Sequence, residues 1–289
     1  MAYRVLAAEL WQLADEVIEF YGSHWGISAA KVKKDEPVPG PDLGFVPTLH
    51  APSRDHHLVC VEVASTPYFP PLDRFVLACR NSGTPVRLYV AVPENSAPSF
   101  QVDLRRAREN GVGVLEATDR GIEIVHEALS QSLTVVRPPA LKSFPSAMRP
   151  NLSQALQTFR NGDPAKGCSN VYDELEALTR KVAAQARKKR TWRALKKGQS
   201  EPPLGDLSKV AWQNVAKTLL QHLDAQKLGR PRLSETLLGR VMGITAHRNA
   251  TGHKPKDRSS LTARDKRLRT RFEEACDLLQ EFASAIRRP

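Results

Sequence analysis

The chain reads as an α/β domain with a mixed sheet followed by an all-helical bundle, and three observations predict that division. Apolar spacing changes along the chain: the first half alternates between period two and the helical period, whereas the second half keeps the helical period throughout. A proline-rich stretch, Pro138-Pro139-Ala-Leu-Lys-Ser-Phe-Pro145-Ser-Ala-Met-Arg-Pro150, lies between the two patterns. Charge divides at the same place. The net charge is +12, yet residues 1–148 hold 14 Lys and Arg against 17 Asp and Glu, and residues 149–289 hold 29 against 14. The expected domains are residues 1–137 and 151–289, with 138–150 as a linker, and 289 residues are ample for two cores.

The first domain opens with Leu6, Leu10, Leu13, Val17 and Phe20, one face of an amphipathic helix. Strands are expected at Leu43–Leu49, Leu58–Val63, Val86–Val92, Val112–Ala117 and Ile122–Val125, where β-branched residues concentrate. Between them Leu72, Phe75, Val76 and Cys79 form a helical stripe closed by Asn81-Ser-Gly83, and Asp103–Asn110 forms another closed by Gly111. Helix, strands, then alternating helices and strands is the order of an α/β layer domain. In the second domain a short helix near Leu152–Phe159 precedes three stripes: Val171, Leu175, Leu178, Val182 and Ala186; Trp212, Val215, Leu219 and Leu223; Leu237, Val241 and Ile244. The strongest stripe, Leu268, Phe272, Ala275, Leu279, Phe282 and Ile286, runs five turns, giving a bundle of four or five helices.

Composition excludes several classes. With 41% hydrophobic and 26% charged residues the chain is neither collagen-like nor wholly disordered. No apolar run approaches the roughly 18–20 residues of a membrane helix. Acids at Glu9, Asp15 and Glu16 come too early for a secretory signal, so a cytoplasmic location without a membrane partner is expected. Cys60, Cys79, Cys168 and Cys276 stand too far apart for a disulfide framework or a zinc site, and no cofactor is expected. Cys60 and Cys79 read as core residues, and His24 and His222 as packing or surface histidines. The basic second half points to a polyanion, because Lys and Arg neutralise phosphates and release counterions.

The chemistry of that half centres on Ala246-His247-Arg248-Asn249-Ala250-Thr251-Gly252-His253-Lys254-Pro255. Gly252 and Pro255 are helix-stop residues, which places Arg248 on a last turn and His253 just beyond it. An Arg fork beside an imidazole of near-neutral pKa suits RNA cleavage: the imidazole moves the proton, the guanidinium stabilises charge on phosphate, and no metal is required. Two other pairs share the loose spacing. Arg240 and His247, seven apart, would share one helical face, and Arg120 and His126 lie on a β-rich hairpin.

Arg248 and Asn249 followed by His253 within a basic helical bundle resemble the signature of the HEPN superfamily. Tyr172-Asp173-Glu174-Leu-Glu176-Ala-Leu-Thr-Arg180-Lys181 is similar to the acidic, aromatic first long helix of prokaryotic members. The resemblance covers roughly residues 151–288. It implies a metal-independent endoribonuclease whose site forms across a homodimer of the helical domain and whose products end in 2′,3′-cyclic phosphate. Arg248 would bind the scissile phosphate, Asn249 orient either the Arg248 side chain or that phosphate, and His253 act as general acid or base. Nucleic-acid contacts are expected from Arg187, Lys188, Lys189, Arg190 and Arg193 on phosphates, with Trp192 stacked on a base. A second basic run, Lys254, Lys256, Arg258, Arg264, Lys266, Arg267, Arg269 and Arg271, follows His253 directly, and Lys254 and Lys256 are expected to contact the nucleic acid as well.

In the first half Asp42 precedes a polar turn, Ser53-Arg-Asp-His-His57, that leads into Leu58-Val-Cys-Val-Glu62-Val-Ala64. Two acids on adjacent strands, with a cation two residues after the second, build a Mg²⁺ site for phosphodiester hydrolysis. The run resembles the PD-(D/E)xK restriction-endonuclease-like superfamily over roughly residues 1–130, with Asp42 and Glu62 at the acidic positions. Ala64 stands where that pattern has Lys, and Lys31, Lys33 or Lys34 would have to supply the charge from another strand. The expectation is a degenerate nuclease core that senses a trigger or binds a regulatory partner, as in toxin–antitoxin or antiphage defence systems. Two alternatives stay open: a non-catalytic nucleic-acid-binding or assembly protein, and a metal-dependent DNA nuclease using Asp42 and Glu62.

Overall fold

The computed structural model describes residues 8–38, 43, 45–193, 202, 204, 206–247 and 255–287. They form two compact units, Met1–Val135 with Pro255–Arg267, and Val136–Lys254 with Leu268–Pro289.

The first unit holds α1 (Ala8–Trp25), β1 (Lys33–Lys34), β2 (Leu49–Pro52), β3 (Leu58–Val63), α2 (Leu72–Asn81), β4 (Val86–Val92), α3 (Ser96–Ser99), α4 (Gln101–Glu109), β5 (Gly113–Thr118), β6 (Gly121–His126) and α5 (Gln131–Thr134). The sheet runs β1-β2-β3-β4-β5-β6. β1, β2 and β3 are antiparallel, β3, β4 and β5 parallel, and β6 returns antiparallel to β5. β3 is buried along its whole length, as a strand covered on both faces must be. Leu58 and Cys60 pack with Leu72, Val76 and Cys79 of α2. Val59, Val61 and Val63 pack with Leu13, Ala14, Val17 and Tyr21 of α1. Tyr89 of β4 lies in register with Gly113 of β5, and a methyl group on Gly113 would meet the Tyr89 ring at 2.3 Å.

Four of the five expected strands form within a residue or so of their expected bounds. The exception is Leu43–Leu49: the strand is Leu49–Pro52 instead. Pro47 interrupts the apolar run and has no N–H for a ladder, so pairing starts only after it. The turn that follows is closed by Ser53 N–H to His57 O at 2.8 Å, with His56 left-handed at φ 70°.

The second unit holds α6 (Arg149–Arg160), α7 (Pro164–Lys189), α8 (Trp212–His222), α9 (Ala225–Leu228), α10 (Glu235–Thr245) and most of α11 (Arg258–Ile286). Helix starts follow capping chemistry. Asp163 accepts from Lys166 N–H, Asp224 from Lys227 N–H and Ser234 from Leu237 N–H. The core joins Leu152 and Phe159 of α6, Val171 and Leu175 of α7, Val215 and Leu219 of α8, Val241 of α10, and Phe272 and Leu279 of α11. Phe159 and Phe272 meet at 4.8 Å between ring centroids. Gly167 lets α6 and α7 approach closely: a methyl there would lie 2.6 Å from Phe159 Cβ and 2.9 Å from Ala155 O.

Two boundaries differ from the expected ones. Residues 138–150, expected as a linker, form two short 3-10 turns that bury Phe144 and Met148 within the second unit. Residues 255–267, expected in the helical domain, belong to the first unit. There Asp265, 3% exposed, accepts from Ser132 Oγ at 2.9 Å, and Leu261 is 4% exposed.

Candidate nucleic-acid interface

α10 ends at Thr245, whose hydroxyl turns back to Met242 O at 2.7 Å, and His247 N–H closes the last turn on Ile244 O. Arg248, Asn249, His253 and Lys254 lie outside the described residues. On the far side of that segment Asp257 caps α11: it accepts from Ser260 N–H at 2.7 Å while Ser260 Oγ accepts from Lys256 and Asp257 N–H, a reciprocal capping box. Hydrogen bonds from Ser260 N–H first, and then from the Ser259 hydroxyl, hold the Asp257 carboxyl below its ordinary pKa. Of the competing pairs, Arg240 forms an ion pair with Glu281 of α11, and His247 falls past the end of α10, so the two do not share a helical face. His126 sits with Nε2 2.6 Å from Val112 O, on the expected hairpin.

The basic end of α7 divides into two parts. Arg187, Lys188, Lys189 and Arg190 are exposed. Arg190 adopts a left-handed cap (φ 53°) and Thr191 N–H closes on Ala186 O at 3.0 Å, so four successive cations sit where the helix's own carbonyl end is negative. No carboxylate among the described residues pairs with Lys188, Lys189 or Arg190. Trp192 does not join them. It is 7% exposed and bridges Leu223 after α8, so it cannot stack on a base as expected. Arg193 is likewise structural: its N–H donates to His222 O at 2.6 Å and its guanidinium pairs with Glu235 at 2.6 Å. An indole three residues past a helix end buries more apolar area by folding back onto the protein than by standing in water. The acidic stretch of α7 also serves packing. Tyr172 is buried, and Arg180, paired with Glu176, donates to Leu207 O and Val210 O before α8.

The second basic run is split. Lys256, Arg258, Arg264, Lys266 and Arg267 belong to the first unit, and Arg269 and Arg271 to the second. Lys256 is exposed, whereas Arg258 is half-buried and its charge reaches His50 and Cys60. With this division the second unit holds 26 Lys and Arg against 12 Asp and Glu.

In the first unit Glu62 is fully buried at the end of β3. The hairpin register pairs Leu49 with Val61, which brings Thr48 beside Glu62, and Thr48 Oγ1 donates to Glu62 Oε2 at 3.1 Å. Sequence reasoning missed Thr48; counting back from the Ser53–His57 turn would have found it. Asp42 lies outside the described residues. Ala64, at the position of the missing Lys, packs against the apolar core with its N–H on Ala91 O. Two of the three upstream lysines are engaged elsewhere: Lys34 pairs with Asp15 at 2.7 Å and lies over the Trp11 ring, and Lys33 pairs with Glu36. Burial, with the nearby Glu62 charge, pushes the Cys79 thiol up to about 12, which makes it an inert core residue. Among the described residues no three His, Cys, Asp or Glu side chains are grouped to hold a metal. No described helix is long and apolar enough to cross a membrane.

No family model, curated protein or solved structure matches the chain.

Proposed function

We propose that the protein is a metal-independent endoribonuclease of the HEPN kind, carried by its helical unit, with a restriction-endonuclease-like first unit that no longer hydrolyses phosphodiesters and instead takes up a trigger or partner. The observation that carries this reading is the Arg248-Asn249…His253 signature in the chain directly after α10, within a unit of strong positive charge. In the proposed reaction the 2′-oxygen of RNA attacks phosphorus and the P–O5′ bond breaks. One proton leaves the 2′-hydroxyl, another arrives on the 5′-oxygen, and His253 carries out one of these transfers. Arg248 neutralises the phosphate as charge grows on it, and Asn249 orients that contact. A homodimer would supply a second His253 for the other transfer. A cellular role in toxin–antitoxin or antiphage defence follows from the resemblance alone.

The reading of the first unit is supported by its element order, a helix, three antiparallel strands, a helix and a parallel strand, together with Glu62 at the end of β3. Thr48 and Ala64 beside that acid favour a core without hydrolytic function over a metal-dependent DNA nuclease.

The test is incubation of the purified protein with total RNA and a tRNA pool in EDTA, beside His253→Ala. Cleavage by the wild type alone, leaving 2′,3′-cyclic phosphate, is expected. Cleavage that persists in His253→Ala, or that EDTA and Asp42→Ala abolish, would overturn the proposal.

A further inference from the structure

Charge and aromatic rings are segregated in this protein. All seven Phe, Tyr and Trp of the second unit, Phe144, Phe159, Tyr172, Trp192, Trp212, Phe272 and Phe282, are buried. Among the described residues the exposed ring of those three types is Phe100, in the first unit, where acids outnumber Lys and Arg. The polycationic unit therefore offers phosphate contacts without a Phe, Tyr or Trp on which a base can stack.

Resting on the RNA reading above, we infer that the helical unit grips its polyanion through the phosphates of a base-paired helix rather than through unpaired bases. Proteins that hold single strands combine a basic groove with stacking rings, and each stacked base adds about 1–3 kcal/mol. Without that gain, affinity comes from counterion release, which favours the denser charge of a duplex: one phosphate per roughly 1.7 Å of axis, and a larger salt response per contact than a single strand. Lys188, Lys189 and Arg190, exposed at the end of α7, supply such contacts. Because phosphates carry no sequence, the grip is indifferent to base identity.

The test measures binding of the full-length protein to 2′-O-methyl RNA, which lacks the attacking hydroxyl, by fluorescence anisotropy. The probes are a blunt RNA duplex, unpaired oligouridine of equal length and a DNA duplex, each followed from about 50 to 200 mM salt. The RNA duplex should bind at least about tenfold tighter than oligouridine, with the DNA duplex within a few-fold of it. Replacing Lys188→Gln, Lys189→Gln and Arg190→Asn together should flatten the log–log salt slope by about 2–3 for the duplex. Oligouridine binding as tightly as the duplex would overturn the inference while leaving the RNA reading in place. A more than tenfold preference for RNA over DNA duplex would overturn a grip by phosphates alone. Failure to bind any of the three would overturn the inference and the RNA reading together.

Discussion

Thr48 Oγ1 donates to the buried Glu62 carboxylate and in turn accepts from Val63 N–H at 3.3 Å, so one hydroxyl ties the start of β2 to the end of β3 on both of its sides. A carboxylate withdrawn from water depends on each donor it keeps. Thr48→Val keeps the shape and removes the donor, and should lower stability by about 1–3 kcal/mol in urea denaturation. Metal-independent RNA cleavage should survive the substitution, since the proposed chemistry belongs to the other unit. An unchanged denaturation midpoint would show that Glu62 does not depend on this hydroxyl.

Trp192 is a packing residue. Trp192→Ala should cost about 3–5 kcal/mol, and Trp192→Phe distinctly less. At a temperature where both variants remain folded, RNA affinity should match the wild type. A tenfold loss in a fully folded Trp192→Phe variant would return the indole to the binding surface.

The long helices and four of the five strands were legible because apolar residues recur at one clear period over several turns. The strand at Leu49–Pro52 was not, because Leu43, Phe45 and Val46 before Pro47 and Leu49 after it read as strand residues until a pairing partner decides the register. The role of Trp192 was hidden for a different reason. Its neighbours Arg187–Arg190 and Arg193 make the segment look solvated, whereas burial of one ring is a tertiary event with no local signature. The placement of residues 255–267 was masked in the same way, since the apolar stripe of α11 is continuous only from Leu268 onward.

Acid should destabilise the first unit through two histidines. Burial lowers the pKa of His50, which sits with Nε2 3.1 Å from Glu36 O, and burial together with the charge of Arg108 lowers that of His126. Each therefore binds its proton less readily folded than unfolded. Their stabilising contribution is complete above about pH 6.5 and is lost as pH falls below it, with a slope of at most about 1.4 kcal/mol per pH unit for each group. His50→Gln and His126→Gln should flatten the fall in melting temperature between about pH 6.5 and 5. Asp55 acts at lower pH. Hydrogen bonds from His57 and Ser53 and the charge of Arg87 outweigh its burial and hold its carboxyl far below the ordinary range, so its contribution persists until strongly acidic conditions.

Removing residues 1–148 is the obvious way to isolate the helical unit, and the structure predicts that it will not do so cleanly. Pro255–Arg267 packs within the first unit, with Leu261 and Asp265 buried there and Asp265 hydrogen-bonded to Ser132. The deletion also takes Phe144 and Met148 from the core of the second unit. Stripped of those partners, Leu261 and the Asp265 carboxylate face water, and the helical unit loses two apolar side chains worth about 1.5–3 kcal/mol each. The deleted protein should therefore melt well below the full chain and self-associate in size-exclusion chromatography. Starting the deletion at Val136 instead, and replacing Leu261→Ser, should recover part of the loss. A deletion of residues 1–148 that melts cooperatively at the full chain's temperature would show that residues 255–267 and the Phe144–Met148 strap contribute nothing to either core. The contact itself is tested in the intact chain, through Ser132→Ala. That substitution removes one donor from the buried Asp265, for about 1.5–3 kcal/mol, while leaving both units covalently complete.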